Sequence, residues 1–204
     1  VLDGARHRYD EAALKLSNKR RESALELNKI ITDKLKDLSF THGKFEVNLE
    51  KTEPSSNGNE QVEFLISTYL NADPKPIQKV ASGGELSRIS LAIRVASIRK
   101  ANVPVMIFDE VDVGIGGGVA EVVGKLLKDL ADDARHQIFA ITHLPQVAAQ
   151  SLNHYKVSKE QVNGETVSHI KLLDESGRVE ELARMLGGVE ITDTTIEHAK
   201  ELLS

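Results

Sequence analysis

Two adjacent carboxylates close a short apolar run: Val103-Pro104-Val105-Met106-Ile107-Phe108 is followed at once by Asp109-Glu110. Such a run reads as a buried strand, and in sheets of parallel strands the carboxyl ends are where ligands bind. An Asp in that place suits hydrated Mg²⁺, which takes one or two protein carboxylates and fills its other positions with water and phosphate oxygens. The neighbouring Glu110 suits a general base on an attacking water. A second apolar run, Gln137 to Thr142, delivers His143 to the same edge, where an imidazole can hydrogen-bond a terminal phosphate or that water. A third segment, Ser82-Gly83-Gly84-Glu85, opens a helical pattern. Its glycines let backbone come close to a ligand, and the free N–H groups of a helix start favour an anion. Ser82 and Glu85 also have the spacing of a capping box, which needs no ligand. Taken singly, the acidic pair also reads as a solvated loop and His143 as a structural histidine.

The elements that must hold these residues are legible in the same way. From Leu2 to Leu38 apolar residues recur at three and four spacing through Tyr9, Leu16, Ala24, Ile31 and Leu35 without an intervening Pro, which predicts one long helix with a narrow apolar stripe. The seam is expected to break at Lys19-Arg20-Arg21, as at the end of a coiled coil. Phe45, Val47 and Leu49, and then Val62, Phe64 and Ile66, alternate with polar residues on either side of a loop from Thr52 to Glu60, an antiparallel hairpin. Helices follow over Glu85 to Lys100 and Val119 to Leu130, with a short one over Pro145 to Gln150. Buried strands joined by helices imply a parallel sheet. A second hairpin is expected around Asn163-Gly164, then two helices around Val179 to Leu186 and Thr194 to Leu203.

Composition narrows the field. With 40% apolar and 28% charged residues in 204, the chain folds into a core, and the longest aliphatic stretch is too short to cross a bilayer. There is no Cys, hence no thiolate metal site, and the seven His lack zinc-binding spacing. The net charge of −5 is uneven: residues 1–40 hold 9 Lys+Arg and 7 Asp+Glu, leaving 17 and 24 for the rest. The larger part is therefore no basic nucleic-acid surface, and any such contact falls to a local patch such as Lys19-Arg20-Arg21 or to another part of a longer protein. Gly114, Gly116, Gly117 and Gly118 fail the dinucleotide spacing. No G-x-x-x-x-G-K-[ST] occurs, so a nucleotide site built from this chain alone is incomplete.

In order and spacing, Ser82 to Glu85, the strand ending in Asp109-Glu110, Asp112 just after it and His143 resemble the signature motif, Walker B, D-loop and switch histidine of ABC-type ATPases. The long helix directly before them resembles the SMC-like branch. The segments VASGGELSRISLAIRVA, IFDEVDVGI, ITHLPQVAA and ELARMLGG are similar to the RecN-like family of bacterial DNA repair proteins. The resemblance implies an α/β fold: an ABC-type C-terminal lobe with a parallel sheet core flanked by helices and β-hairpins, over residues 41–204, preceded by the end of a coiled coil over residues 1–40. It implies ATP and Mg²⁺ as cofactors, with Asp109 at the metal, Glu110 as base, and Ser82, Gly83, Gly84 and Glu85 at the γ-phosphate of ATP held by an opposing head. Asp112 would support the head-to-head contact and His143 would sense the γ-phosphate.

The implied partners are the chain's own N-terminal P-loop lobe, a second identical head, and DNA through the full-length protein, with no membrane. The implied place is the bacterial cytoplasm, at the nucleoid. The isolated chain is expected to be inactive as an ATPase. Two other readings stand beside this one: a non-catalytic interaction module in which the motifs only cap and solvate, and the head of another SMC-like or transporter ATPase.

Overall fold

The computed structural model describes residues 2–79, 83–98, 103–109, 112–132, 136–188 and 191–204. Ser82 and Glu110, two of the residues singled out above, lie outside them. The chain divides into two compact units, Val1–Asn102 and Val103–Ser204.

In the first unit, helix α1 (Leu2–Asp37) is followed by strands β1 (Lys44–Ser55) and β2 (Gly58–Ser67), a two-residue strand β3 (Lys75–Pro76), a single 3₁₀ turn and helix α2 (Gly83–Ile98). The strands form one antiparallel sheet in the order β1-β2-β3. Phe45, Val47 and Leu49 stand opposite Ile66, Phe64 and Val62, so alternation puts the apolar set on one face. The rings of Phe45 and Phe64 lie 5.3 Å apart, tilted by 57°. The expected loop from Thr52 to Glu60 is mostly strand, with only Ser56-Asn57 between β1 and β2 and an irregularity in register between Lys51 and Ser55. Polar residues need not leave a ladder whose outer face is wet.

Helix α1 lies along this hairpin. Its buried positions, Ala13, Ser17, Ala24, Ile31 and Leu35, continue one stripe that passes through half-buried Arg20. The expected break at Lys19-Arg20-Arg21 is therefore absent, because an arginine stem can lie on an apolar seam while its head reaches a polar group. Here the head of Arg20 donates to the Glu60 backbone carbonyl at 3.3 Å, and Arg21 pairs with the Glu60 carboxylate at 3.4 Å. Two of the three basic residues, Arg20 and Arg21, thus engage the hairpin. Leu2, by contrast, is 82% exposed. Two N–H groups on the outer edge of β1 bond to α1: Val47 N–H donates to Asn28 Oδ1 at 2.8 Å and Phe45 N–H to Thr32 Oγ1 at 3.0 Å.

The second unit alternates as expected: β4 (Val105–Phe108), α3 (Gly118–Asp132), β5 (Gln137–Ala140) and α4 (Pro145–Ala149), then a hairpin of β6 (Tyr155–Val162) and β7 (Glu165–Leu172), then α5 (Glu175–Gly187) and α6 (Asp193–Leu203). Strands β4 and β5 pair in parallel, with Phe108 opposite Ala140. The β6–β7 turn uses Asn163 at φ 52° and Gly164 at φ 87°, the two left-handed positions that a type I′ hairpin requires. A core of Ala148, Ala149, Leu182, Ala183 and Ala199 joins α4, α5 and α6. Helix α3 comes so close to α4 that a side chain at Gly124 would meet Val147 Cα at 3.1 Å and Gln146 O at 3.0 Å. The expectation that both apolar runs are buried is not met: one face of the parallel pair is uncovered, with Val105, Ile107, Phe139 and Ile141 all exposed, Ile107 by 63%.

Candidate functional site

Parallel pairing of β4 and β5 brings their carboxyl ends level. Ile141 N–H donates to Phe108 O at 2.9 Å, so the chain leaves both strands side by side, toward Asp109 and Asp112 on one and Thr142-His143 on the other. Asp109 is exposed, as a carboxylate offered to a hydrated cation must be. Among the described residues no group of three or more His, Cys, Asp or Glu could hold a metal by itself. A single exposed carboxylate fits Mg²⁺, which relies on water and phosphate for the rest of its shell.

Asp112 behaves differently. It is 2% exposed, and its Oδ2 accepts from the Thr142 hydroxyl in a very short hydrogen bond and from the His143 N–H at 2.9 Å. His143 Nδ1 sits 3.1 Å from the same oxygen, while the His143 side chain is 73% exposed. The structure therefore brings two of the expected residues, Asp112 and His143, into one cluster. Sequence reading missed its third member, Thr142. The signal was available in that a hydroxyl beside a strand-end His is a natural donor to a buried carboxylate.

The glycine segment belongs to the first unit. Helix α2 begins at Gly83, where an added Cβ would meet nothing within 4 Å. Gly84 and Glu85 continue the first turn. What holds this helix start was not anticipated. Arg88 donates to Gly84 O at 3.4 Å and to Leu38 O at 3.1 Å, and its guanidinium stacks 4.5 Å over the Phe40 ring. An Arg one turn into an amphipathic helix looks solvated in a sequence; its partner Leu38 is 50 residues away.

A second charged cluster ties β6 to α5. Glu181, almost fully buried, receives Arg184 at 2.6 Å and Lys156 at 2.5 Å. Burial by itself pushes the Glu181 carboxyl up, but the hydrogen bonds from Arg184 and Lys156 outweigh it and leave it below its ordinary value. His154 nearby is held below its ordinary value by burial, with Arg178 adding to the effect. Asp174 caps α5 by accepting from Gly177 N–H at 2.8 Å, and that bond lowers its carboxyl. These groups hold helices and strands together, apart from the sheet edge that carries Asp109 and His143.

No family model matches the chain. Three bacterial proteins named DNA repair protein RecN are similar to nearly all of it: that of Xylella fastidiosa is 45% identical over 205 aligned residues, 99% of this chain, that of Vibrio cholerae 45% over 94%, and that of Rickettsia conorii 42% over 96%. The chain spans only about a third of those proteins, 36%, 35% and 36% of their lengths. Among solved structures, a Smc head domain with coiled coil and joint from Pyrococcus yayanosii matches with a TM-score of 0.64 at 24% identity, over 80% of this chain and 29% of that one. A Smc head with an extended coiled coil from Pyrococcus furiosus, bound to the C-terminal domain of ScpA, matches with a TM-score of 0.63 at 21% identity, over 92% and 42%. The fold is thus that of an SMC-type ATPase head.

Proposed function

For this chain, a RecN-like C-terminal head lobe, we propose that the function is to supply half of a composite ATP-hydrolysing head that acts in the repair of broken bacterial DNA. The observation that carries this reading is the level sheet edge at which Asp109, Asp112 and His143 arrive together, in a chain similar to RecN over nearly its whole length.

The missing half is a P-loop lobe from the same polypeptide, and residues 1–40 are the returning end of a coiled coil that joins the two. The bare apolar face of β4 and β5 supports this, since a lone two-stranded sheet with exposed Ile107 and Ile141 is a sheet awaiting neighbours. ATP with Mg²⁺ supplies the phosphoanhydride and the charge neutralisation that phosphoryl transfer needs. Asp109 holds the metal's hydration shell, and Glu110 takes a proton from the attacking water. Ser82, Gly83 and Gly84, with Glu85 in the same turn, present helix-start N–H groups to the γ-phosphate of a nucleotide bound by a second copy of the head. The loop that Asp112 anchors lies at that head-to-head contact, and His143 faces the γ-phosphate. DNA is engaged by the full-length protein, at the nucleoid in the bacterial cytoplasm. No helix among the described residues is long and apolar enough to cross a membrane.

Because no P-loop is present, the 204-residue chain alone is expected to show no ATP turnover. Mixing it with a matching P-loop lobe should create turnover that Glu110→Gln abolishes. A complex that forms and stays silent overturns the composite ATPase and favours an interaction module.

A further inference from the structure

We infer that Asp112 and Thr142 are positioning residues that decide which ring nitrogen of His143 is offered to the reacting phosphate or water. The inference rests on the composite-ATPase reading for its functional meaning, but its geometry stands apart from it.

Two hydrogen-bond donors and one ring nitrogen from two adjacent residues converge on one oxygen. Thr142 Oγ1, His143 N–H at 2.9 Å and His143 Nδ1 at 3.1 Å all address Asp112 Oδ2. A carboxylate only 2% exposed is costly to bury unless its lone pairs are used, and here both loops that leave the sheet edge are drawn onto it. Thr142 is fixed in turn, because its hydroxyl donates to Asp112 and accepts from Leu144 N–H at 3.0 Å. The backbone N–H of His143 sets where the residue sits; the Nδ1 contact sets how its ring is turned.

A histidine's reacting nitrogen is chosen by the partner of the other one. With Nδ1 turned to Asp112, the ring carries a proton on Nδ1 and presents Nε2 outward. A bare Nε2 accepts a hydrogen bond from an attacking water. When the ring is doubly protonated, Nε2 donates to a phosphate oxygen while Nδ1–H stays on Asp112. Asp112 thereby reaches the chemistry of its own head through His143, from the loop that begins beside Asp109.

The test needs no nucleotide. In the 204-residue chain with ¹⁵N-labelled histidine, His143 is identified by the signals lost in His143→Gln. At a pH where the ring is neutral, wild type is expected to carry the proton on Nδ1, and Asp112→Ala to return it mainly to Nε2. A wild-type ring protonated on Nε2, or a tautomer unchanged by Asp112→Ala with the other six histidine signals in place, overturns the inference. Thr142→Val should weaken the Nδ1–H preference and Thr142→Ser should restore it; equal behaviour of the two removes Thr142 from the role. In the reconstituted head, Asp112→Ala is expected to lower turnover by roughly 10–100-fold, in line with loss of a histidine's orienting partner. Full turnover with the tautomer lost also overturns it. A silent reconstituted head would defeat the composite ATPase while leaving the tautomer result as measured.

Discussion

The two hairpin regions of this chain are built from similar alternating sequences and end in opposite states. In the first, α1 lies along β1 and β2, and Phe45 and Ile66 are among the most deeply buried side chains in the protein. In the second, the apolar face of β6 and β7, formed by Tyr155 and Val157 opposite Leu172 and Ile170, is open, with Ile170 72% exposed. The β4–β5 pair shares this condition on one side. Alternation tells which residues of a strand want cover, and nothing in the strand itself tells whether the cover is in the same chain. The first unit closes over Phe45 and Ile66 while leaving Phe64 and Val62 at 38% and 43% exposure; the second leaves the corresponding faces of its strands more open still.

That contrast can be broken most sharply at Phe45. Phe45→Ala should cost about 3–5 kcal/mol of unfolding free energy in urea titrations of the chain, since it empties a closed site. A loss below ~1 kcal/mol would show that the first unit is no better packed than the second. Next, Gly124→Ala tests the covered side of the second unit: backbone atoms of α4 stand where the methyl group would go, and ~1–3 kcal/mol should be lost. Then Ile107→Ser probes the bare side. In the chain alone it should change stability by less than ~0.5 kcal/mol, as exposed positions do. In complex with the P-loop lobe it should weaken association measurably by calorimetry; equal binding of variant and wild type would mean that this face is not the joint.

The smallest effect concerns the link from β6 to α5. Because the folded Glu181 carboxyl titrates below its ordinary 4.5, its contribution is complete above that value and is lost as pH falls through the lowered one. His154 binds its proton less readily in the folded chain than its ordinary 6.5, so it too removes stability as pH drops below that value. Urea midpoints of wild type should therefore fall on acidification, and Glu181→Gln should flatten the part of the curve below about pH 4.5. An unchanged slope would detach Glu181 from the hairpin's anchorage.

What could be read from the residues was whatever short-range pattern encodes. The helical run of α1, the alternation of β1 and β2, the parallel pairing of the two apolar strands and the Asn163-Gly164 turn all specify themselves within a few positions and are found where expected. The first half of the α1 stripe is not, since Leu2, Ala12 and Leu16 are exposed and Ala13 and Ser17 buried instead. The seam through Arg20 was misread because a residue's type names its charged head, while its stem decides the packing. Arg88 and Thr142 were invisible for a different reason: each acts through a partner distant in sequence, Leu38 and Asp112 respectively. Asp109 and His143 were legible as residues that end apolar strands. The inward turn of the Asp112 carboxylate was not, because direction belongs to the turn and leaves no trace in residue type.

The two bonds from α1 to the edge of β1 have a mechanical consequence. Asn28 and Thr32 are separated by about 6 Å along a helix, and Val47 and Phe45 by about 6.6 Å along a strand, so the two spacings nearly match and both bonds form together. Any axial slip of α1 must therefore shear both at once, with no intermediate position that keeps either one. A helix of 36 residues, about 54 Å long, is in this way geared to the sheet: a pull or thrust along the rod reaches the strands without lost motion.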